Sequence, residues 1–328
     1  MKILVTGANG FIGRNIKSIL PQEAEVIGIG HSDNPLPMAN YKKIDVLDAT
    51  AVEELFREYR FDKVIHLAAV TFHDDIVNRK KYSLDTSLRG TENIISAFNR
   101  YCSEGTFLYS STGKVYGGGK TQPIDENTPA NPMNTLGKLK RMTEELIEYY
   151  ANDNPGHKFS ILRMFNIYGW QQRPTFVIPY IMQQLKEGNT LTLGNIDDAR
   201  DYINIRDLTN CISMVLFGDK QQIKQLDIYN VGSGNAYSVR DILEIISRLT
   251  GRQLEIKIDS NRLRHDETSI EYADISKIKK TFGWNPQISL EQGIREILLK
   301  ENLLPDDYYT NPVSHKFCRR RQRFGQLL

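Results

Sequence analysis

The chain opens with a strand, a glycine turn and a helix, and few local patterns restrict a fold so strongly. The β-branched, apolar run from Lys2 to Thr6 enters Gly7-Ala8-Asn9-Gly10-Phe11-Ile12-Gly13 with no polar segment between. In such a unit the first glycine permits the tight turn and the second removes a Cβ that would keep a phosphate off the backbone. The third lets the helix pack closely on the strand. The helix start then aims backbone amides at a pyrophosphate group. A second strand follows about a dozen residues later, so dinucleotide binding is the expected use of the loop and a structural turn the alternative.

Further β-branched runs at residues 25–29, 63–67, 106–110 and 158–163 alternate with helical segments. This is the pattern of right-handed βαβ units, so the fold expected is α/β, a doubly wound parallel sheet of the Rossmann type with a smaller C-terminal α/β lobe. A length of 328 residues leaves room for that lobe, and the pattern loses its regularity after Gly169. Residues 1–169 are expected to form the nucleotide-binding domain, with 204–234 returning to it. Residues 170–203 and 235–304 would form a substrate-binding lobe, and 305–328 a basic tail with five Lys or Arg between His315 and Arg323. In the second lobe a helix is expected near 176–186, and another from Val239 with Ser238 as its cap. Over residues 135–153, Leu136, Leu139, Met142, Leu146, Ile147 and Tyr150 recur at three- and four-residue steps. They form one apolar helical stripe, suited either to the core or to a dimer face.

The charges nearly cancel, 42 Lys and Arg against 40 Asp and Glu, which argues against a nucleic-acid partner. No apolar run approaches the roughly 18 residues of a membrane span, and the N-terminus reads into a strand instead of a signal peptide. A cytoplasmic protein with no membrane partner is expected. Cys102, Cys211 and Cys318 lie far apart, which indicates neither a disulfide framework nor a metal site.

The end of the second strand bears on which dinucleotide is held. An acid there would bind the ribose hydroxyls of NAD. Val26-Ile27-Gly28-Ile29 runs instead into Gly30-His31-Ser32, and Asp33 comes three residues late. A carboxylate repels a 2′-phosphate, whereas His31, Ser32 and Arg14 can donate hydrogen bonds to one. NADP(H) is therefore the preferred cofactor, with NAD(H) bound without the acid as the alternative.

The chain resembles the extended short-chain dehydrogenase/reductases that act on nucleotide sugars, from Met1 to about Ile297. The resemblance rests first on the glycine loop, Asp45-Val46, His66-Leu67-Ala68-Ala69, Ser110-Ser111-Thr112 with Val115-Tyr116-Gly117, and Arg163-Met164-Phe165-Asn166-Ile167-Tyr168-Gly169. It continues through Arg200-Asp201-Tyr202-Ile203-Asn204 to Asp207, Tyr229-Asn230-Val231-Gly232, Asp274-Ile275-Ser276-Lys277 and Gly283-Trp284-Asn285-Pro286. It implies that Asp45 and Val46 sit by the adenine and that Leu67, Ala68, Ala69 and Ser110 line the cofactor cleft. Asn166, Arg200 and Arg264 would hold the substrate's diphosphate or nucleotide, as suits a planar guanidinium. A homodimer through the helices at residues 83–101 and 135–153 is implied as well.

In that family a Ser or Thr polarises the sugar oxygen, and a Tyr four residues before a Lys passes the proton. Thr112 matches the first. Lys138 matches the lysine, which would also bind the nicotinamide ribose, and Asn134 then stands where the tyrosine is expected. An amide has no accessible pKa and cannot shuttle a proton at neutral pH. Ser87 replaces an Asn near the nicotinamide. Lys114 stands where dehydratases of the family carry an acid or, in one subgroup, a lysine, and is a candidate proton donor. Tyr116 and His73 are further candidates. The leading expectation is an NADP(H)-dependent nucleotide-sugar oxidoreductase reducing a 4-keto sugar. The alternatives are an NAD-dependent epimerase or dehydratase with an atypical base, and a cofactor-binding protein that has lost turnover.

Overall fold

The computed structural model describes residues 1–33, 40–118, 121–218, 224–260 and 269–305. Its strands are β1 (Lys2–Thr6), β2 (Glu25–Gly30), β3 (Tyr41–Lys43), β4 (Lys63–His66), β5 (Thr106–Thr112), β6 (Lys158–Met164), β7 (Asn166–Tyr168), β8 (Thr190–Leu193), β9 (Ala199–Asn204), β10 (Leu226–Val231), β11 (Ala236–Ser238), β12 (Glu255–Ile258) and β13 (Ile270–Glu271). The helices are α1 (Phe11–Ile16), α2 (Ala49–Tyr59), α3 (His73–Asn78), α4 (Lys80–Tyr101), α5 (Thr135–Ala151), α6 (Val177–Glu187), α7 (Ile205–Phe217), α8 (Val239–Thr250), α9 (Ser276–Phe282) and α10 (Leu290–Lys300).

Seven strands form one sheet in the order β10-β6-β5-β4-β1-β2-β3, and every pairing is parallel. This is the doubly wound sheet expected from the sequence. The chain runs outward from β1 through β2 and β3, then returns to lay β4 on the other side of β1. The order therefore reverses between β1 and β4, and a crevice opens outside their carboxyl ends. On one face α2, α4 and α5 bury Val52, Leu55, Phe56, Ile94, Phe98 and Ile147. On the other, α7 and the end of α1 contribute Ile16, Leu208, Ile212 and Val215, with Trp284 beside them. A separate apolar core, with Ile181, Leu185, Ile242, Ile246, Ile294 and Leu298, fills the space among α6, α8 and α10. Ser238 caps α8 in a capping box with Asp241, which uses two helix-start amides that would otherwise lack partners. No helix among the described residues is long and apolar enough to cross a membrane.

Several boundaries differ from the sequence expectation for identifiable reasons. β4 stops at His66 because the amides of Leu67 and Ala68 both turn to the Thr6 hydroxyl. β5 and β6 run on to Thr112 and Met164 because the two strands pair to their ends. The edge strand β3 was not foreseen, since Tyr41-Lys42-Lys43 carries no apolar run. The stripe on α5 divides: Leu139 and Ile147 are buried, Tyr150 is half-buried and Met142 is exposed.

Charges inside the sheet domain are matched. Arg163 on β6 donates from Nε and Nη2 to the two oxygens of Glu144 on α5, at 3.0 and 2.7 Å. Ser111 on β5 donates to the same carboxylate at 2.5 Å. The Arg163 guanidinium lies 4.7 Å from the Tyr116 ring, and Tyr116 donates to Asn230 at 2.7 Å. Removing one member of such a pair leaves the other charged and dry. Glu144→Gln is expected to destabilise the protein by about 3–5 kcal/mol, read as a lower urea midpoint at unchanged m-value. A loss under about 0.5 kcal/mol would mean the pair is solvated.

Candidate nucleotide and sugar site

The glycine turn is built into the crevice. Gly7 has φ +65°, and a Cβ there would lie 2.9 Å from the Ala68 nitrogen and from the Leu67 carbonyl carbon. A Cβ on Gly13 would lie 2.5 Å from the Ala8 oxygen. Neither position admits a side chain, so α1 is drawn onto β1. Gly10 precedes α1, where the first turn holds no acidic residue and no side chain caps the amides. Phe11 and Ile12 pack against the core of this face, and Asn9 stands between Ala8 and Gly10 in the turn. This turn fits a dinucleotide diphosphate, because the start of α1 carries no acidic residue and Gly10 places no side chain there.

Beneath the turn, Thr6 fixes the tautomer of a buried histidine. The Thr6 hydroxyl accepts from the amides of Leu67 and Ala68 at 3.1 and 3.0 Å, so its single proton goes to His66 Nδ1, 2.8 Å away. His66 Nε2 therefore carries the ring proton and donates to Thr91 at 2.9 Å. Burial, aided by the Lys140 charge, pushes the His66 pKa down to about 3 and keeps the ring neutral. Ala69 continues the segment behind it.

On the adenine side, His31 is exposed and Ser32 half-buried at the end of β2. Tyr41 donates to the Ser32 carbonyl at 3.0 Å. The late acid, Asp33, is exposed and paired with Lys43. Asp45 accepts from the Leu47 amide at 3.0 Å, while Val46 is buried against Gly90 of α4.

The opposite wall is formed by the end of β5 and the start of α5. Ser110 donates to the His66 carbonyl at 3.1 Å, and the half-buried Thr112 accepts from the Lys114 amide at 3.3 Å. Asn134 caps α5 by accepting from the Gly137 amide at 2.8 Å. A Cβ on Gly137 would lie 2.4 Å from the Lys114 carbonyl oxygen, so α5 docks directly on the turn after β5. Positions 138 and 140 lie about 200° apart around a helix and face opposite ways. Lys138 is exposed. Lys140 is buried, and its ammonium donates to the Ser110 carbonyl at 2.5 Å beside the Tyr109 ring. Burial pushes its pKa down to about 8, against the opposing pull of Glu144.

The lysine at the end of the sheet is thus Lys140, where the sequence expectation placed Lys138. The residue one helical turn before it is Leu136, half-buried, and Asn134 serves as the helix cap. Ser87 on α4 is buried, and its carbonyl accepts from Thr143 of α5 at 3.3 Å.

Residues 4–297 match the family model described as GDP-mannose 4,6 dehydratase. The chain belongs to the extended short-chain dehydrogenase/reductases. It is 29% identical to the GDP-6-deoxy-D-mannose reductase of Pseudomonas aeruginosa over 90% of this chain and 96% of that one. The structure of RMD from Pseudomonas aeruginosa complexed with NADPH superposes with a TM-score of 0.79 at 27% identity, covering 92% of this chain and 98% of that one. UDP-glucose 4-epimerase of Thermotoga maritima with UDP-glucose gives 0.80 at 25% identity, over 92% and 99% of the two chains.

Within this extended short-chain dehydrogenase/reductase the remaining expected residues are dispersed around the lobe junction. Asn166 begins β7, whose pairing with β9 sets it opposite Tyr202. Arg200 is buried on β9 and donates to the Ala199 carbonyl at 2.9 Å. Arg264 and the His73 side chain lie outside the described residues. Tyr116 is enclosed between Arg163 and Asn230 and holds its proton, since burial pushes its pKa up to about 12. The Lys114 ammonium lies 3.0 Å from Glu271 of β13, a partner that sequence reading did not single out. Glu144 was also missed. Its signal was a charge on an apolar stripe, one turn after Lys140 and three residues before Ile147.

His66 makes stability depend on pH in a defined direction. The folded ring resists protonation down to about 3, whereas the unfolded ring takes a proton near 6.5. Between those values the unfolded state binds more protons, so stability falls as pH drops, by about 1.4 kcal/mol per unit for this group. Urea unfolding at pH 7, 6 and 5 should give a steeper fall for the wild type than for His66→Asn. Parallel slopes would place the proton dependence elsewhere.

Proposed function

We propose that the protein is an NADP(H)-dependent nucleotide-sugar reductase that acts on a 4-keto sugar. The observation that carries the cofactor choice is the end of β2. Gly30-His31-Ser32 offers no acid to the ribose, and Asp33 is paired with Lys43. An uncompensated carboxylate at the ribose would favour NAD and repel a 2′-phosphate. Solved neighbours of similar coverage hold NADPH in one case and NAD in another, so the choice rests on the end of β2.

When bound, the dihydronicotinamide supplies hydride. The glycine turn would hold the diphosphate, Asp45 and Val46 the adenine, and Leu67 to Ala69 the cleft floor. Lys140, at the end of β5, is the lysine suited to the nicotinamide ribose, while Thr112 would polarise the sugar carbonyl. Asn166, Arg200 and Arg264 would hold the substrate's nucleotide diphosphate, with the cleft between residues 1–169 and the lobe of 170–203 and 235–304. Leu136 bears on the proton at the reacting oxygen. Oxidising an alcohol requires a base there and reducing a ketone requires a proton donor. A leucine one turn before Lys140 supplies neither, so a reductase would take its donor from another residue.

Leu136 also favours a second possibility, a cofactor-binding protein that has lost turnover. An NAD-dependent epimerase would need a base from elsewhere. Exposed Leu84, Met142 and Tyr149 on α4 and α5 support a homodimer through those helices.

Nucleotide released from denatured, freshly purified protein would be identified by mass, and the stripped protein titrated with NADPH, NADH and NAD. NADPH should bind at least about tenfold tighter, roughly 1.4 kcal/mol; NAD carried through purification would overturn the proposal. In the same titration Lys140→Met should weaken NADPH by about tenfold, with Lys138→Met within about twofold of wild type. The reverse ranking would restore Lys138 as the ribose lysine. Leu136→Tyr separates the two functional possibilities: a large gain from no measurable turnover identifies a lapsed enzyme.

A further inference from the structure

Lys114 and Glu271 come from different lobes and meet at the crevice. Lys114 lies in the short turn after β5, two residues from Thr112, and its backbone amide donates to the Thr112 hydroxyl. Glu271 lies on β13, opposite Arg200 in the pairing with β9. Its side chain is only 6% exposed, and that of Lys114 is 20% exposed. A buried carboxylate needs a partner, and this one is matched by a lysine whose side chain is partly open to solvent. Among the described residues, the position one turn before Lys140 holds leucine where a phenol is expected, and Tyr116 is enclosed by Arg163 and Asn230.

We propose that Glu271 is a positioning residue for Lys114. From β13 it holds the ammonium of a residue two positions after Thr112, and that ammonium donates the proton to the sugar oxygen in place of the phenol that Leu136 does not supply. This rests on the reductase assignment. In a reduction for which bound NADPH would supply the hydride, an N–H bond of Lys114 would break as the O–H bond of the product alcohol forms. The neutral amine then regains its proton from water. Glu271 remains a carboxylate throughout and fixes the direction in which the N–H points.

The hold of Glu271 on Lys114 is testable without substrate or cofactor. The full chain is treated with trace acetic anhydride at pH 8, and labelling of each lysine is read by peptide mass spectrometry, with exposed Lys138 as the internal standard. Glu271→Gln should raise Lys114 labelling by about fivefold, while Glu271→Asp stays within about twofold of wild type. Lys277, held by Asp227 in a separate ion pair, should change by less than about twofold. Unchanged Lys114 labelling in Glu271→Gln, or an equal rise at Lys277, would overturn the proposal, the latter because it marks general loosening.

Donation is read with NADPH and the GDP-linked 4-keto-6-deoxy sugar that corresponds to GDP-6-deoxy-D-mannose. Lys114→Met should lower kcat roughly 100-fold with KM within about threefold, and adding Leu136→Tyr should restore at least about tenfold. Full kcat in Lys114→Met would remove Lys114 as the donor. If the wild type reduces no ketone, the reductase assignment fails, and the labelling still decides whether Glu271 holds Lys114.

Discussion

The buried ion pair between Glu144 and Arg163 sets the rotation of α5, and through it every side chain that this helix turns toward the crevice. Both oxygens of Glu144 are engaged, by Arg163 from β6 and by Ser111 from β5. A carboxylate so confined cannot swing out without leaving a guanidinium unpaired in the core. Lys140 lies one turn earlier on the same face and so must point at the end of β5. Gly137 fixes the height of the helix as well, since its missing Cβ lets α5 touch the backbone after Thr112. Two constraints, one electrostatic and one steric, thus fix the start of α5, with Lys140, against the end of β5.

A second buried carboxylate plays a comparable part among β9, β10 and β13. Asp201 on β9 accepts from the Ser233 amide and hydroxyl at 2.6 and 2.7 Å, and from the amides of Gly234 and Ala273 at 3.0 and 3.2 Å. Burial raises its pKa while those donors oppose the rise. Four donors converge because Gly232 leaves room; a Cβ there would lie 2.4 Å from an Asp201 oxygen. The loop after β10 and the residue after Tyr272 are thereby tied to β9, and β13, with Glu271, is held at the crevice edge.

Much of this was legible in the sequence because the signals are local. The glycine turn, the strand and helix periods and the Ser238 cap each depend on neighbours a few residues away. The choice between Lys138 and Lys140 was not. Each lysine has a residue other than tyrosine four positions earlier, so spacing could not separate them, and the deciding fact was which face carries Glu144. Asn134, read as a stand-in for tyrosine, is a helix cap, a role that asparagine commonly takes. Glu271 was invisible for another reason: its partner is 157 positions away. Edge strand β3, short and polar, left no periodic trace.

The seventh strand of the sheet, β10, enters from residues 226–231, after the chain has already built much of the second lobe. During synthesis the first lobe therefore emerges with β6 as an open edge. Its unpaired amides and carbonyls face solvent until more than sixty further residues have left the ribosome. An open parallel edge is a template for foreign strands. The apparent modularity of the two lobes is thus not a modularity of folding: a fragment ending at Gly169 would be a sheet lacking its cover, and a cell producing it would have an aggregation-prone chain to manage.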